Sequence, residues 1–462
     1  MNHTRRSPLT SIGAVVLGAA GLLWIAVYNG FPLVFPDSFR YLNEAVNHTH
    51  VAISSHFYAY FVRTIARNDM WAVVAIQAVA ASAVVLWTLR RPFAVGLPGS
   101  LAILLLLAGT STLPVYTGLL MTDIWIALAV VSAVNLYWGE ATTRTEVVFG
   151  FCLMVLGVLF HQVTGPLLLA VLAILAGHWG FSRLRGTEGS GGARLVVAAL
   201  AVATGVFILC ANNWRVWSVF TPSPQGPVVT FALLLRGGVM EAEIERVCPD
   251  GRLLVCSAQH LPYGPGAFGR FLARDGALET ELGGWRNFRD EAGRLVVTSI
   301  LHHPRAYARM AWHAAMLQLR LYRSDGHFQQ GYRRGAAGRR VLDRVGQGHA
   351  LRAGKQATRA FDLRRYDVLT AITSLLSAAV ILFTIGWSWL SSNRRLPPAA
   401  AGAGIDLLGA YLAQAILIGA ITAPAHRYAA RLSWILPLAA LGLIAAILAP
   451  RSRSDQGNTA QT

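Results

Sequence analysis

Ten apolar stretches, near residues 10–28, 70–89, 95–109, 122–138, 147–160, 164–180, 195–211, 367–390, 404–420 and 434–449, constrain this chain more than any other feature. A run of about 20 apolar residues crosses a bilayer as one helix, because a helix satisfies its backbone N–H and C=O groups internally where water is absent. The expected class is an all-α polytopic integral membrane protein of about ten transmembrane helices, with a mostly helical extracytoplasmic loop domain. Composition agrees, since 54% of the 462 residues are hydrophobic and only 13% are charged. The first stretch follows Arg5 and Arg6 as a signal peptide would. No small-residue cleavage site precedes the Phe-Pro-rich segment behind it, so it reads as a retained anchor.

The formal net charge of +18 invites a nucleic-acid partner. The basic residues instead fall between apolar stretches and in one long loop, which fits a bilayer and phosphate chemistry, and no nucleic acid is expected. If every stretch crosses once, Arg5/Arg6, Arg90/Arg91, Arg144, Arg183/Arg185/Arg194, Arg394/Arg395 and Arg451/Arg453 share one side. By the positive-inside rule that side is the cytoplasm, with both termini there, and the chain sits in the cell inner membrane. Arg427 and Arg431 are the exceptions, falling outside.

This gives a membrane core over 1–211 with a first outer loop at 29–69, a loop domain at 212–366, a three-span region at 367–450 and a disordered tail at 451–462. No internal repeat is visible. In the long loop, Val296–Leu301 and Ala306–Leu321 have helical spacing, with Pro304 as stop and restart. Residues 325–355, rich in Arg and Gly, read as mobile or as ordered by a phosphate-bearing lipid. Cys248 and Cys256 flank a turn followed by an extended run, and an oxidising compartment permits a disulfide between them. Cys152 and Cys210 lie in apolar stretches as small hydrophobes.

Polar residues gather at the outer boundary. After the first stretch comes Phe31-Pro-Leu-Val-Phe-Pro-Asp37-Ser38, in which Pro36 biases Phe35 towards extended geometry, so Asp37 is expected on an extended piece. An amphipathic surface helix follows, with Phe39, Leu42 and Val46 on one side and Arg40, Asn43, Glu44 and Asn47 on the other. Thr122-Asp123 opens the fourth stretch, His161-Gln162 ends the fifth, and His426-Arg427-Tyr428 with Arg431 precedes the tenth. Each has a plainer alternative: Asp37 and Asp123 suit helix caps, His161 an interfacial polar residue, and the arginines headgroup anchors. Carboxylates at a lipid interface are nevertheless costly without partners, and acids with arginines on one face suggest a shared site.

Phe-Pro-Leu-Val-Phe-Pro-Asp-Ser after the first span, Met121-Thr-Asp-Ile opening the fourth and Pro424-Ala-His-Arg-Tyr-Ala-Ala-Arg before the last resemble motifs of membrane glycosyltransferases of the GT-C superfamily. The resemblance implies a polyprenyl-phosphate sugar donor, a glycan or lipid acceptor, and an extracytoplasmic active site. Asp37 and Asp123 are then the catalytic candidates, with Ser38, Arg40, His161, His426, Arg427 and Arg431 as substrate-binding candidates. In the adjacent Asp or Glu pair of some members this chain has one Asp, and no metal set is assigned. Three roles stand open for Asp123: orienting the sugar, holding a divalent ion, or structuring the site.

Sugar transfer from a lipid phosphate passes through an oxocarbenium-like state while the acceptor hydroxyl loses a proton. A carboxylate can take that proton, and guanidinium groups can hold the departing phosphate bidentately. Two other classes are weighed. An O-antigen polymerase or ligase would use His302, His303, Arg305 and Arg309 of the long loop, and a lipid or solute transporter would carry charges at mid-membrane depth. The charges here are expected at span ends.

Overall fold

A computed structural model of the chain describes residues 8–66, 69–139, 142–185, 191–324, 336–390 and 396–449. The protein is all-α, and its β pairing among the described residues is one isolated parallel bridge between Leu33 and Leu119. Among the described residues seven helices have the length and composition to cross a membrane: Ser11–Asn29, Trp71–Arg90, Thr164–Leu184, Gly191–Trp217, Arg364–Ser388, Pro398–Ile421 and His426–Leu448. A multi-pass membrane protein follows from these alone. The other three apolar stretches also form helices, Leu97–Thr110, Asp123–Trp138 and Arg144–Phe160, but of only 14, 16 and 17 residues. At about 1.5 Å per residue each is shorter than a bilayer core of about 30 Å. The tail at 451–462 and the basic residues Arg5, Arg6, Arg394, Arg395, Arg451 and Arg453 lie outside the described residues.

Asp123–Trp138 is the centre of the bundle. Ile124 to Ala129 are almost wholly buried, and the helix packs against Trp71–Arg90, Arg144–Phe160, Thr164–Leu184 and Pro398–Ile421. Apolar on every side, it suits a position surrounded by other helices. Small residues permit close approach around it. A Cβ on Gly157 would lie 2.6 Å from the Ala129 Cβ, so the 144–160 helix sits directly on it. One buried charge was not singled out from the sequence. Asp406 is fully buried in Pro398–Ile421, where Trp138 Nε1 donates to it and His178 Nδ1 lies 3.0 Å away. A buried carboxylate needs such partners, and none of them is near it in sequence.

A second hydrophobic core forms in the long loop. Phe231, Phe271 and Phe288 meet with centroids 4.9 to 6.3 Å apart, surrounded by Leu234, Leu235 and Met240. The two helices expected around Pro304 are present as Gly284–His302 and Pro304–Arg320. Cys248 and Cys256 form a disulfide with a Cα separation of 5.3 Å. The turn expected between them is present as a 3-10 turn at Cys248–Asp250, but the extended run expected after it is instead a short helix at Leu254–Ser257. Glu291 accounts for the difference: its carboxylate accepts from the Leu254 and Val255 N–H groups at 3.0 and 2.9 Å, as an N-cap would.

The basic segment also differs from its reading. Residues 325–335 lie outside the described residues, but Ala336–Arg344, Gly348–Ala353 and Lys355–Thr358 are helical. Val341, Leu342 and Leu351 are buried in the main core, so a few well-spaced apolar residues anchor a segment that composition alone suggested was mobile.

Candidate functional site

One bridge fixes the two acidic loops together. Leu33 N–H donates to Gly118 O at 2.8 Å and Leu120 N–H to Leu33 O at 2.9 Å, which ties the extended 31–35 segment to the connection before Asp123. Gln356 holds the other edge of that segment. Its amide accepts from Val34 N–H and donates to Val34 O, both at 3.0 Å, while its own N–H donates to Asn29 Oδ1 at 2.8 Å. Gln77 donates to both Thr117 O and Leu119 O at 2.9 Å. Asp37 and Asp123 each follow a bridged leucine by four residues, so both leave a rigid base.

Asp37 is not on an extended piece. The helix Pro36–Asn47 begins at Pro36, with Phe35 extended before it, because proline suits a first helical turn as well as restricting the residue ahead of it. Asp37 therefore stands in that first turn, where a carboxylate is favoured by the helix dipole. Its side chain does not serve as the cap. Ser38 does, its hydroxyl accepting from Phe35 N–H at 2.9 Å, and Ser38 is wholly buried.

Arg427 and Arg431 are four residues apart on the helix His426–Ser433 and so share a face. Tyr116 Oη donates to Arg427 O at 3.2 Å and Thr112 Oγ1 to Ala430 O at 2.7 Å, which seats this helix on the connection before Asp123. Arg427 Nη1 donates to Asp37 Oδ2 at 2.8 Å, and its Nε lies 3.6 Å from Asp123 Oδ1. Arg431 Nη1 donates to the same Asp123 oxygen at 3.3 Å, and Arg431 Nε to Gln414 Oε1 at 3.2 Å. Arg40 reaches Asp37 Oδ1 at 3.5 Å from the next turn. The guanidinium of Arg427 also lies 4.6 Å from the Phe35 ring centroid.

The result is a chain of alternating charge, Arg40–Asp37–Arg427–Asp123–Arg431, graded in depth. Asp123 and Arg431 side chains are wholly buried, Arg427 is 12% exposed, and Asp37 is 30% exposed. Asp37 is the more exposed of the two acids. Burial would raise its carboxyl pKa, but Arg427 and then Arg40 outweigh that and hold it at about 2, below its ordinary 3.8. Its folded pKa is therefore depressed, and this pairing adds stability above the ordinary carboxyl range that is lost as pH falls through about 2. His161, within electrostatic reach of the same cluster, has its pKa lowered well below 6.5 by burial and by Arg431 and Arg427. Asp123 Oδ2 and Arg431 Nη2 are buried with no hydrogen-bond partner among the described residues.

Five of the eight sequence-selected residues thus meet in ion pairs, Asp37, Arg40, Asp123, Arg427 and Arg431, and His161 lies within electrostatic reach of them. The other two are structural in this arrangement. Ser38 caps its helix, and His426 Nδ1 accepts from Arg323 N–H at 3.1 Å, joining its helix to the end of Pro304–Arg320. Asp123 begins its helix, yet its carboxylate turns to the arginines, away from the cap position. Among the described residues no group of three or more His, Cys, Asp or Glu side chains is placed to hold a metal ion.

Sequence reading missed Gln414 and Glu44. Gln414 was hidden as one polar residue within an apolar stretch, although a polar group at membrane depth is itself a signal. Glu44 was assigned to the solvent side of its helix, but it is buried against His56 Nδ1 at 3.2 Å, with Ser54 Oγ donating at 3.3 Å. The helix is covered on that side by Phe57–Ala66 and also packs on Ala336–Arg344, so it does not lie bare on a surface. Of the loop residues weighed for a polymerase or ligase, His302 and His303 sit on buried Glu243 at 3.2 and 3.4 Å. Arg246 pairs bidentately with that carboxylate; burial would raise the pKa of Glu243, but the hydrogen bonds from Arg246, Thr298 and His302 together bring it down to about 2. Comparison of the chain with protein-family models, curated proteins and solved structures finds no match in any of the three.

Proposed function

We propose that the protein is a membrane glycosyltransferase that moves a sugar from a polyprenyl-phosphate donor to an acceptor hydroxyl on the extracytoplasmic side. The observation that supports it is Arg427, a guanidinium bound to a half-open carboxylate on one side and a buried carboxylate on the other. A guanidinium so placed can exchange its Asp37 contact for a phosphate, since both are anions that it binds through the same N–H fork.

In the proposed reaction the donor phosphate draws Arg427, with Arg40 beside it, away from Asp37. Asp37 then loses the cations that keep it acidic, gains the negative phosphate as a neighbour, and becomes a stronger base when the acceptor arrives. It takes the acceptor's hydroxyl proton as the new C1–O bond forms and the bond from C1 to the phosphate oxygen breaks. The polyprenyl phosphate departs with the electron pair, and the arginines stabilise the charge that gathers on it. Asp123 and Arg431 hold Arg427 in place from beneath. Purified protein in lipid is to be incubated with polyprenyl-phosphate sugars and an acceptor glycan or lipid. Release of polyprenyl phosphate with glycosylated product is expected, and failure to consume any such donor would overturn the proposal in favour of transport.

A further inference from the structure

The helix Pro304–Arg320 has two working faces. One, through Tyr307, Ala311, Ala315 and Gln318, packs on the end of the span Pro398–Ile421. Tyr307 Oη donates to Ala420 O at 3.1 Å, and Gln318 Nε2 to Ala425 O at 3.0 Å. The adjoining face, with Ala306, Arg309, Met310, His313, Ala314 and Leu317 at helical spacing, lines a cavity of about 550 Å³. The opposite wall is the end of Gly226–Arg236 with Gly237 and Gly238. Met310 packs directly on Gly237, where an added Cβ would lie 2.0 Å from its Sδ.

The lining has an unequal chemistry. Leu233, Ala306, Met310, Ala314 and Leu317 make an apolar floor, while Arg236, Arg309 and His313 supply the polar groups, and no carboxylate lines it. Beside it Trp312 is 59% exposed and Leu317 40% exposed, large apolar side chains at the end of a span, where tryptophan favours the boundary between lipid and water. A ligand that complements this groove carries an anion and a hydrocarbon chain together. None of these residues belongs to the Asp37–Arg431 cluster.

We propose that the groove is a binding site for an anionic phospholipid of the surrounding bilayer. Its phosphate lies between Arg236 and Arg309 with His313 beside them, and the first methylene groups of a chain lie on Met310, Ala314 and Leu317. A bound lipid would join the Gly226–Arg236 helix to the helix seated on Pro398–Ile421. The inference does not rest on the glycosyltransferase reading.

The test is native mass spectrometry of the full chain, released from micelles containing equal amounts of phosphatidylglycerol and phosphatidylcholine. The unaltered protein is expected to retain phosphatidylglycerol preferentially. Arg236→Gln/Arg309→Gln removes the charges, and Ala314→Trp fills the floor while keeping them. Both variants are expected to lower retention by on the order of tenfold, as loss of one or two charge-assisted contacts or of the chain's seat would. Thermal unfolding in lipid-free detergent checks that each variant is folded, and Ala314→Leu replaces the Trp variant if it is not. Equal retention of the two lipids by the unaltered protein overturns the proposal, and so does loss in only one of the two variants. Displacement of phosphatidylglycerol by millimolar inorganic phosphate would also overturn it, by showing a phosphate site without a lipid seat.

Discussion

A carboxylate held at a pKa of about 2 is a weak base, so Asp37 is useful in the proposed reaction only after Arg427 and Arg40 are drawn to another anion. The pH dependence of turnover should show this. The acid limb of kcat/KM reports the free enzyme and should stay flat from about pH 6 down to about pH 3, whereas the kcat limb reports the donor complex and should fall at higher pH. Coincident limbs would mean that the donor leaves the ion pair intact. Arg431 makes the opposite case, being needed for the fold first. It and Asp123 are wholly buried, and removing one member of a buried pair costs about 3–5 kcal/mol because the other charge is stranded. Arg431→Met should therefore unfold at a clearly lower temperature in detergent than the native chain, and an unchanged midpoint would show that Asp123 does not depend on it. Most of these residues were legible beforehand as types at span ends. Their pairing was not, because Asp37 and Arg427 lie 390 positions apart and no local pattern encodes that contact.

Among the elements, His426–Ser433 orders the site, and its position depends on the span before it. Gln318 brackets Ala425 through two hydrogen bonds, so the helix Pro304–Arg320 sets where that short helix begins. The helix Pro304–Arg320 meets the span Pro398–Ile421 at Gly419, where a Cβ would lie 2.4 Å from Ala311 O and 2.7 Å from Ala315 N. Both are backbone atoms and cannot swing aside. Gly419→Ala should push the helix away at a cost of about 1–3 kcal/mol, seen as a lower unfolding midpoint, and a stability equal to native would contradict the packing described. Apolar runs located helices at all ten expected positions, since period and length are local signals, but only seven of these helices are long enough to cross a membrane. What sequence misjudged was set by tertiary partners: Glu44 is buried because His56 meets it, and Leu254–Ser257 is helical because Glu291 caps it. Residues 336–358 pack because Val341, Leu342 and Leu351 find the main core.

For the whole molecule, the loops at 29–35, 110–122, 161–163 and 421–426 and the 212–363 segment converge at one end of the bundle. Ser223 Oγ donates to Gln162 Oε1 at 2.7 Å, and Gln356 grips Asn29 and Val34. The proposed function requires that end to face outside, as the positive-inside rule leads one to expect. The Cys248–Cys256 pair tests the assignment in intact cells, in a Cys152→Ser/Cys210→Ser chain. After mild reduction a membrane-impermeant maleimide should label the pair without permeabilisation. Labelling that requires permeabilised cells would invert the topology and move the Asp37 site to the cytoplasmic face.

The most direct measurement compares the native chain with Asp37→Asn in lipid, following both binding of a polyprenyl-phosphate sugar and its consumption in the presence of acceptor. Asparagine keeps the shape of the side chain and removes the base. The account predicts that the variant binds the donor at least as well, because Arg427 is no longer held by a carboxylate, while turnover falls by about 100-fold or more, the scale of a lost general base. Turnover equal to native by a variant that binds the donor would contradict the role of Asp37 and, with it, the proposed mechanism.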